Sequence, residues 1–193
     1  MAVRTGMADL ITRVRQMCNI GTASYSGAGT TFYSDQQIQD HLDRHSTHLN
    51  YIPLRSEPEY NSGGTLEYHD FYVSVGNLEA ATSGSVYWQV YDQENIPVGT
   101  ANYSTDYSRG LIRFTADTEG SAYYLRARTY DMNRAAAQIW REQAGFVAMN
   151  YDIQLDDQRL NRSQMHKHCM TMAAQFDKLA GARVTRMVRG DLR

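Results

Sequence analysis

The residues best suited to chemistry by type and spacing are three histidines of a predicted helix. His41, His45 and His48 would share one helix face, where imidazoles can bind Zn²⁺ with Asp40 or Asp43 supplying an oxygen. No HExxH pattern, cysteine partner or second ligand cluster accompanies them, and His45 also falls on the apolar stripe of the helix. We therefore expect surface or interface histidines and no metal site, with metal binding as the open alternative.

Other familiar chemical patterns are incomplete. Residues 27–30 resemble part of a phosphate loop but lack the GKS/T ending, so we expect a flexible polar loop there. His166, His168 and Cys169 occupy helical positions that point to different faces. No serine lies in a GxSxG pattern, and Asp156-Asp157 lie in a polar connection typical of a solvated turn. We expect no catalytic residue and no cofactor, and the protein is predicted not to be an enzyme.

The two cysteines and the N-terminal segment predict where the chain folds. Cys18 and Cys169 each lie within an apolar helical pattern, without a CxxC motif, which predicts buried free thiols and a reducing compartment. After Arg4, both Asp9 and Arg13 interrupt the segment that a signal peptide would need to be apolar. No apolar run has the length of a membrane span. We therefore expect assembly in the cytoplasm and no membrane partner.

Composition indicates a globular protein with an uneven charge distribution. The chain has 193 residues, 42% apolar and 21% charged, with a net charge of −2, which excludes collagenous, strongly disordered and membrane-spanning classes. Residues 159–193 contain eight basic and two acidic side chains, a net charge of +6, and residues 1–158 contain eleven and nineteen, a net charge of −8. Opposite charge at the two ends favours head-to-tail partners or a position beside a polyanion.

Hydrophobic periodicity predicts helices at both ends of the chain and strands between them. A three- and four-residue repeat predicts a first helix over 7–18, and Ser34 with Gln37 forms a capping box for a second helix that ends before Pro53. That helix carries an apolar stripe of Ile38, Leu42, His45 and Leu49. A period of two predicts antiparallel strands over 68–75, 86–91, 111–114 and 123–128.

The helical period returns after Asp131 and continues to Tyr151, and a last helix is predicted from Ser163 to Gly181. The last helix has a heptad-like seam of Met165, Cys169, Met172, Phe176 and Leu179. A basic tail follows. Three interpretations of the tail are open: a nucleic-acid arm, a solvated end, or a segment that binds an acidic groove of another protein.

Three stretches carry a resemblance to a known family: YDMNRAAAQIW over 130–140, DIQLDDQRLNRSQ over 152–164, and FDKLA over 176–180. In combination they resemble the head-to-tail connector, or adaptor, proteins of tailed bacteriophages. The opening helix pair over 9–50 is also similar to the start of that family, so the resemblance covers roughly half of the chain. One departure is Leu160-Asn161 before the Arg-Ser-Gln triplet, where the family more often has an aromatic residue.

The resemblance implies an α+β fold. It comprises a four-helix connector-type core from residues 1–52 and 130–180, an inserted antiparallel β-domain over 66–129, and an extended basic C-terminal tail over 181–193. It also implies a virion protein of the neck, assembled in the host cytoplasm as a homo-oligomeric ring of twelve copies. The ring would join the portal protein to the next neck or tail protein, and genomic DNA would pass through its channel without sequence specificity.

Two groups of residues follow from this implied role. The implied portal-interface residues are Arg183, Val184, Arg186, Met187, Val188, Arg189, Leu192 and Arg193. The implied subunit-interface residues are Trp140, Phe176 and Trp88. Two alternatives stay open: a small DNA-binding or packaging module that uses the same arginines, and a carbohydrate-binding β-domain suggested by Trp88 and the fourteen tyrosines.

Overall fold

The computed structural model describes residues 3–20, 25–27, 30–82, 87–148, 153–155, 158–160 and 162–180. Within these ranges the chain forms four α-helices and two larger antiparallel sheets, together with two short hairpins, so the expected α+β class is confirmed. The helices are α1 (Ala8–Met17), α2 (Asp35–Arg44), α3 (Met132–Ala148) and α4 (Arg162–Ala180). None of these described helices is long and apolar enough to cross a membrane.

The capping signal correctly places the start of α2. The Ser34 side chain accepts a hydrogen bond from the Gln37 backbone N–H, and the Gln37 side chain accepts one from the Ser34 N–H. This reciprocal pair satisfies two backbone donors that the first helical turn leaves without partners. The first helix also agrees with its prediction over 7–18, since α1 spans Ala8–Met17. A short 3-10 turn over Thr5–Met7 precedes it.

The predicted end of the second helix is wrong, because α2 stops at Arg44 and the chain continues as strand β3 (Ser46–Pro53). β3 pairs antiparallel with β9 (Tyr124–Tyr130), with Ser46 opposite Tyr130. Leu49, which was predicted to lie on the helical stripe, instead packs in the core between the strands. The backbone hydrogen-bond partners of β3 come from β9, which is distant in the chain. The local helical pattern carries no information about that pairing.

A second difference concerns the predicted polar loop around residues 27–30. The structure has a small hairpin there, in which β1 (Tyr25–Gly27) pairs with β2 (Thr30–Phe32). Residues 28 and 29, between the two strands, lie outside the described residues.

The two larger sheets lie between α2 and α3 in the chain. The first has strand order β3-β9-β6, with β6 at Gln89–Tyr91. The second has order β4-β5-β8-β7, with strands Arg55–Tyr60, Leu66–Tyr72, Leu111–Phe114 and Tyr103–Asp106, respectively. The four predicted strands correspond to β5, β6, β8 and β9, whereas β3, β4 and β7 were not predicted. The second short hairpin, β10 (Ile153–Leu155) and β11 (Gln158–Leu160), lies between α3 and α4 in the chain.

Apolar side chains form two separate clusters. The first is helical and includes Ile38, Leu42 and Ile139, each with 0% exposure. The second lies between the strands, where Phe71 is 1% exposed and makes edge-to-face contacts with Phe114 and Tyr123, at centroid distances of 5.2 and 5.3 Å. Edge-to-face rings contribute attraction beyond the area that they bury. The chain therefore depends on two cores that must be joined.

An ion pair on the four-stranded sheet predicts how stability depends on pH. The Arg113 guanidinium donates to both carboxylate oxygens of Asp70 at 2.5 and 2.6 Å, and Asp70 is 3% exposed. This hydrogen bonding holds the pKa of Asp70 below its ordinary value of 3.8. A lowered carboxyl pKa gives stability that is complete above that ordinary value and is lost as pH falls through the lowered one.

We therefore expect Asp70→Asn to lose less stability on acidification than the wild-type chain does. Urea-unfolding midpoints measured from about pH 5 down to about pH 2 should fall less steeply for the variant. The exposed residue Asp9 provides the matched control, Asp9→Asn. An Asp70→Asn curve that runs parallel to the wild-type curve would contradict this assignment.

Candidate assembly surfaces

Arg4 joins the helices to the strands through an ionic cluster. Its guanidinium donates to both carboxylate oxygens of Asp43 on α2, at 2.5 and 2.9 Å, and to Glu79 at 2.8 Å. It also donates to the hydroxyl of Tyr130 at 3.0 Å, and that hydroxyl donates to Glu79 at 2.5 Å. Because Glu79 is 3% exposed, these partners supply the hydrogen bonds that water would otherwise give its carboxylate. We call Arg4, Asp43, Glu79 and Tyr130 the junction cluster.

The junction cluster also perturbs proton equilibria. The hydrogen bond to Asp43, with further contributions from Glu79, raises the pKa of Arg4 above its ordinary value. Burial, followed by the hydrogen bond to Glu79, raises the pKa of Tyr130. Both shifts favour the protonated forms that donate these hydrogen bonds. The cluster therefore holds α2, β9 and the segment around Glu79 together.

Backbone contacts next to the junction cluster bring the chain unusually close to itself. The Ala80 N–H donates to the Gly6 carbonyl at 3.2 Å. A side chain at Gly6 would place its Cβ only 2.4 Å from the Ala80 carbonyl oxygen, so this contact requires glycine.

The structure separates the three histidines of the sequence analysis. His41 Nε2 lies 3.2 Å from Glu142 Oε2 on α3, and His45, just beyond the end of α2, lies 3.2 Å from Gln138 Oε1. His48 lies on β3, with its Nε2 3.2 Å from Arg128 Nη2. They share no helix face because α2 ends at Arg44. Among the described residues, no three His, Cys, Asp or Glu side chains come close enough to hold a metal ion.

Both cysteines are buried free thiols, as predicted. Cys18 is 1% exposed and Cys169 is 6% exposed, and they form no disulfide. Burial raises the pKa of Cys18 to about 12 and also raises that of Cys169. A buried thiol with a raised pKa is a poor nucleophile because the thiolate is the reactive form. These cysteines therefore act as packing residues of the helical core.

Two of the three residues expected at subunit interfaces are enclosed by their own chain. Trp88 is 4% exposed, and its Nε1 donates to the Tyr103 hydroxyl at 3.2 Å. Trp140 is 8% exposed, and its Nε1 donates to the Met17 carbonyl at 3.4 Å. Phe176 is half-buried against the helical core. In this conformation Trp88 presents no open ring face to a sugar, and only Phe176 keeps accessible surface for a neighbouring subunit.

The predicted seam of α4 is only partly covered within the chain. Cys169, Ala173 and Ala180 form its buried face, and Met172 and Phe176 are half-buried. Met165 and Leu179, which the heptad pattern placed in the same seam, are 44% and 59% exposed. At seven-residue steps, Met165, Met172 and Leu179 follow one flank of the helix. At Met165 and Leu179 this flank is apolar surface that the described part of the chain does not cover.

Tyrosines form a second accessible cluster on the three-stranded sheet. Tyr51 lies at the bulge of β3 with φ +53° and is 43% exposed. Its ring stacks on that of Tyr91 at 5.0 Å and contacts that of Tyr124 at 5.9 Å. A tyrosine at positive φ is uncommon, and bulges often redirect a side chain toward a functional surface. The sequence pattern did not indicate this cluster because it predicts a helix, not strand β3, for the segment that contains Tyr51.

Several sequence predictions lie outside the described residues. These are the basic tail, with all eight expected portal-interface residues, and the Asp156-Asp157 pair.

We compared the chain with protein-family models, curated proteins and solved structures, and none of the three comparisons returned a match. The family membership expected from the sequence motifs therefore remains a proposal.

Proposed function

We propose that this chain is a structural virion protein of a tailed bacteriophage: a head-tail adaptor that forms a ring between the portal and the next neck or tail protein. The observation that carries the proposal is the uncovered flank of α4. Large apolar side chains on a helix that also closes the core favour contact with another protein. In this proposal the four helices are the connector-type core, and the ring surrounds the channel through which genomic DNA passes.

Two of the three motifs that carry the family resemblance have identifiable structural roles here, which supports the proposal. The Asp131 carboxylate accepts a hydrogen bond from the Arg134 N–H at 3.0 Å, at the start of α3. Ala135, Ala136 and Ala137 that follow are each 0% exposed, and small residues allow neighbouring helices to approach closely. The FDKLA motif ends α4, and its Asp177 forms an ion pair with Arg141 of α3. The ion pair of Asp177 with Arg141 thus links the second of these motifs to α3.

The two sheets supply surfaces for further contacts in this proposal. The tyrosine cluster around Tyr51 is accessible, and tyrosine is enriched at protein interfaces because it offers a rigid ring with a polar end. We assign this cluster to the contact with the next neck or tail protein. The basic tail is assigned to the portal.

Deleting residues 181–193 tests this assignment. Because α4 ends at Ala180, we expect the truncated chain to keep its circular dichroism spectrum and to lose binding to the portal protein of the same virus. A control chain with Arg183, Arg186 and Arg189 all replaced by lysine keeps the tail and its charge. Undiminished portal binding by the truncated chain would contradict the tail assignment. Loss of salt-dependent DNA binding, with portal binding retained, would favour the DNA-binding alternative instead.

A further inference from the structure

We propose that copies of this chain join head to tail, with the outward face of α4 in one copy against edge strand β4 of the next. This inference rests on the ring proposed above and names the two surfaces that would build it. The first surface comprises Lys167, Met170 and Lys178, which lie along one outward side of α4, and we call it the α4 face. The second comprises Glu57, Pro58, Glu59, Tyr60 and Leu66, and we call it the β4 edge.

The α4 face combines an exposed apolar side chain, that of Met170, which is 44% exposed, with unpaired positive charge. Lys167 and Lys178 are exposed and lie eleven residues apart, three helical turns along the side opposite Cys169 and Ala173. Neither lysine takes part in an ion pair among the described residues. The nearby charges of Arg141 and Asp177 compensate each other. The face therefore carries an excess of two positive charges.

The β4 edge has the complementary composition. Glu57 and Glu59 are exposed and form no ion pair within the described part of the chain. Glu57 accepts a hydrogen bond from Tyr72, and Glu59 interacts electrostatically with Arg113, whose charge Asp70 compensates. Tyr60 is 77% exposed, and Leu66, its register partner on β5, is 37% exposed. β4 lies at the edge of its sheet. An exposed edge with two carboxylates and two large apolar side chains fits a basic surface with an exposed apolar side chain.

Pro58 restricts what kind of element can bind at this edge. Proline has no backbone N–H, so a further strand could not form a continuous ladder along β4. A helix that contacts β4 through side chains needs no such ladder. The α4 face provides such a helix, with charges of the opposite sign.

The two surfaces also determine the symmetry of the contact. Two α4 faces would bring lysines against lysines, and two β4 edges would bring glutamates against glutamates, so neither surface is self-complementary. A contact between two different surfaces of the same chain is heterologous, and it forms a closed ring when its rotation closes. Because the complementary pair lies on one chain, the matching partner is a second copy.

Charge reversal on each surface provides the test. Variant A carries Lys167→Glu and Lys178→Glu, and variant B carries Glu57→Lys and Glu59→Lys. Mass distributions are measured by sedimentation velocity, for each chain alone and with the portal protein. We expect the wild-type chain to form higher oligomers and each variant to stay monomeric. Mixing A with B, or combining all four substitutions in one chain, should restore oligomers because opposite charges then face each other again.

The control is Arg109→Glu. The Arg109 side chain is 79% exposed and belongs to neither of the two surfaces. This variant should assemble like the wild-type chain. Wild-type-like assembly by A and B would overturn the inference, and so would failure of the mixture to recover. If A and B still form rings on the portal, the inference fails and the adaptor function stands. A wild-type chain that is monomeric both alone and with the portal overturns the inference and the adaptor function together. If variant A lost DNA binding while its assembly stayed unchanged, the two lysines would be nucleic-acid contacts, and the inference would be overturned.

Discussion

Replacing Arg4 with methionine is expected to lower the free energy of unfolding by about 3 kcal/mol. Methionine keeps most of the side-chain length but leaves Glu79, 3% exposed, without its cation. Removing one partner of a buried ion pair typically costs about 3–5 kcal/mol. We expect the lower end because the Tyr130 hydroxyl still donates to Glu79. Urea unfolding at neutral pH, followed by circular dichroism, measures the change.

The control for this variant is Arg109→Met, at an ion pair with Asp106 whose side chains are 79% and 42% exposed. An exposed pair contributes about 0–1 kcal/mol, so the control should unfold almost like the wild-type chain. Adding Glu79→Gln to Arg4→Met should recover part of the loss, because the uncompensated charge is then removed. If Arg4→Met and Arg109→Met lowered the free energy of unfolding equally, the junction cluster would not hold the helices and strands together as described.

Replacing Phe71 with alanine is expected to lower the free energy of unfolding by about 3–5 kcal/mol, since a buried aromatic side chain is lost and a cavity remains. Phe71 is 1% exposed, and its ring contacts those of Phe114 and Tyr123. Tyr60→Ala is the matched control, because Tyr60 is an aromatic residue of the same sheet that is 77% exposed.

The two tryptophans allow the same experiment to examine how the cores are coupled. Trp88 lies in the core between the strands and Trp140 in the helical core, so Trp→Phe at either position leaves one fluorescent reporter for the other core. We expect Phe71→Ala to shift both reporters to the same lower midpoint, because β3, β9 and the junction cluster join the cores. A Trp140 midpoint that stays at its wild-type value would show two independently unfolding units.

Local sequence signals predicted the helices well because those signals act over a few residues. The Ser34 and Gln37 box fixed the start of α2, and the regular apolar spacing after Asp131 predicted α3. The end of α2 was not predictable in this way, because the strand after Arg44 forms through pairing with β9, about eighty residues away in the chain. β4 escaped prediction for a different reason: it is an edge strand with a proline and two glutamates, which is an unusual strand composition.

Local sequence signals do not predict the candidate surfaces either. The members of the junction cluster, Arg4, Asp43, Glu79 and Tyr130, are far apart in the chain, and no sequence pattern connects them. The seam of α4 was predicted as a single apolar stripe, but only the fold distinguishes buried Cys169 from exposed Met165 and Leu179. The part of the stripe that the chain leaves uncovered is the part on which the assembly proposal depends.

In the proposed function, copies of this chain form a ring on a portal. Mass measurement and electron microscopy of the purified chain mixed with the portal protein of the same virus test it most directly. We predict a closed ring of this chain bound to one end of the portal. A chain that remains monomeric and unbound in the presence of portal, while its circular dichroism spectrum shows that it is folded, would contradict the claim.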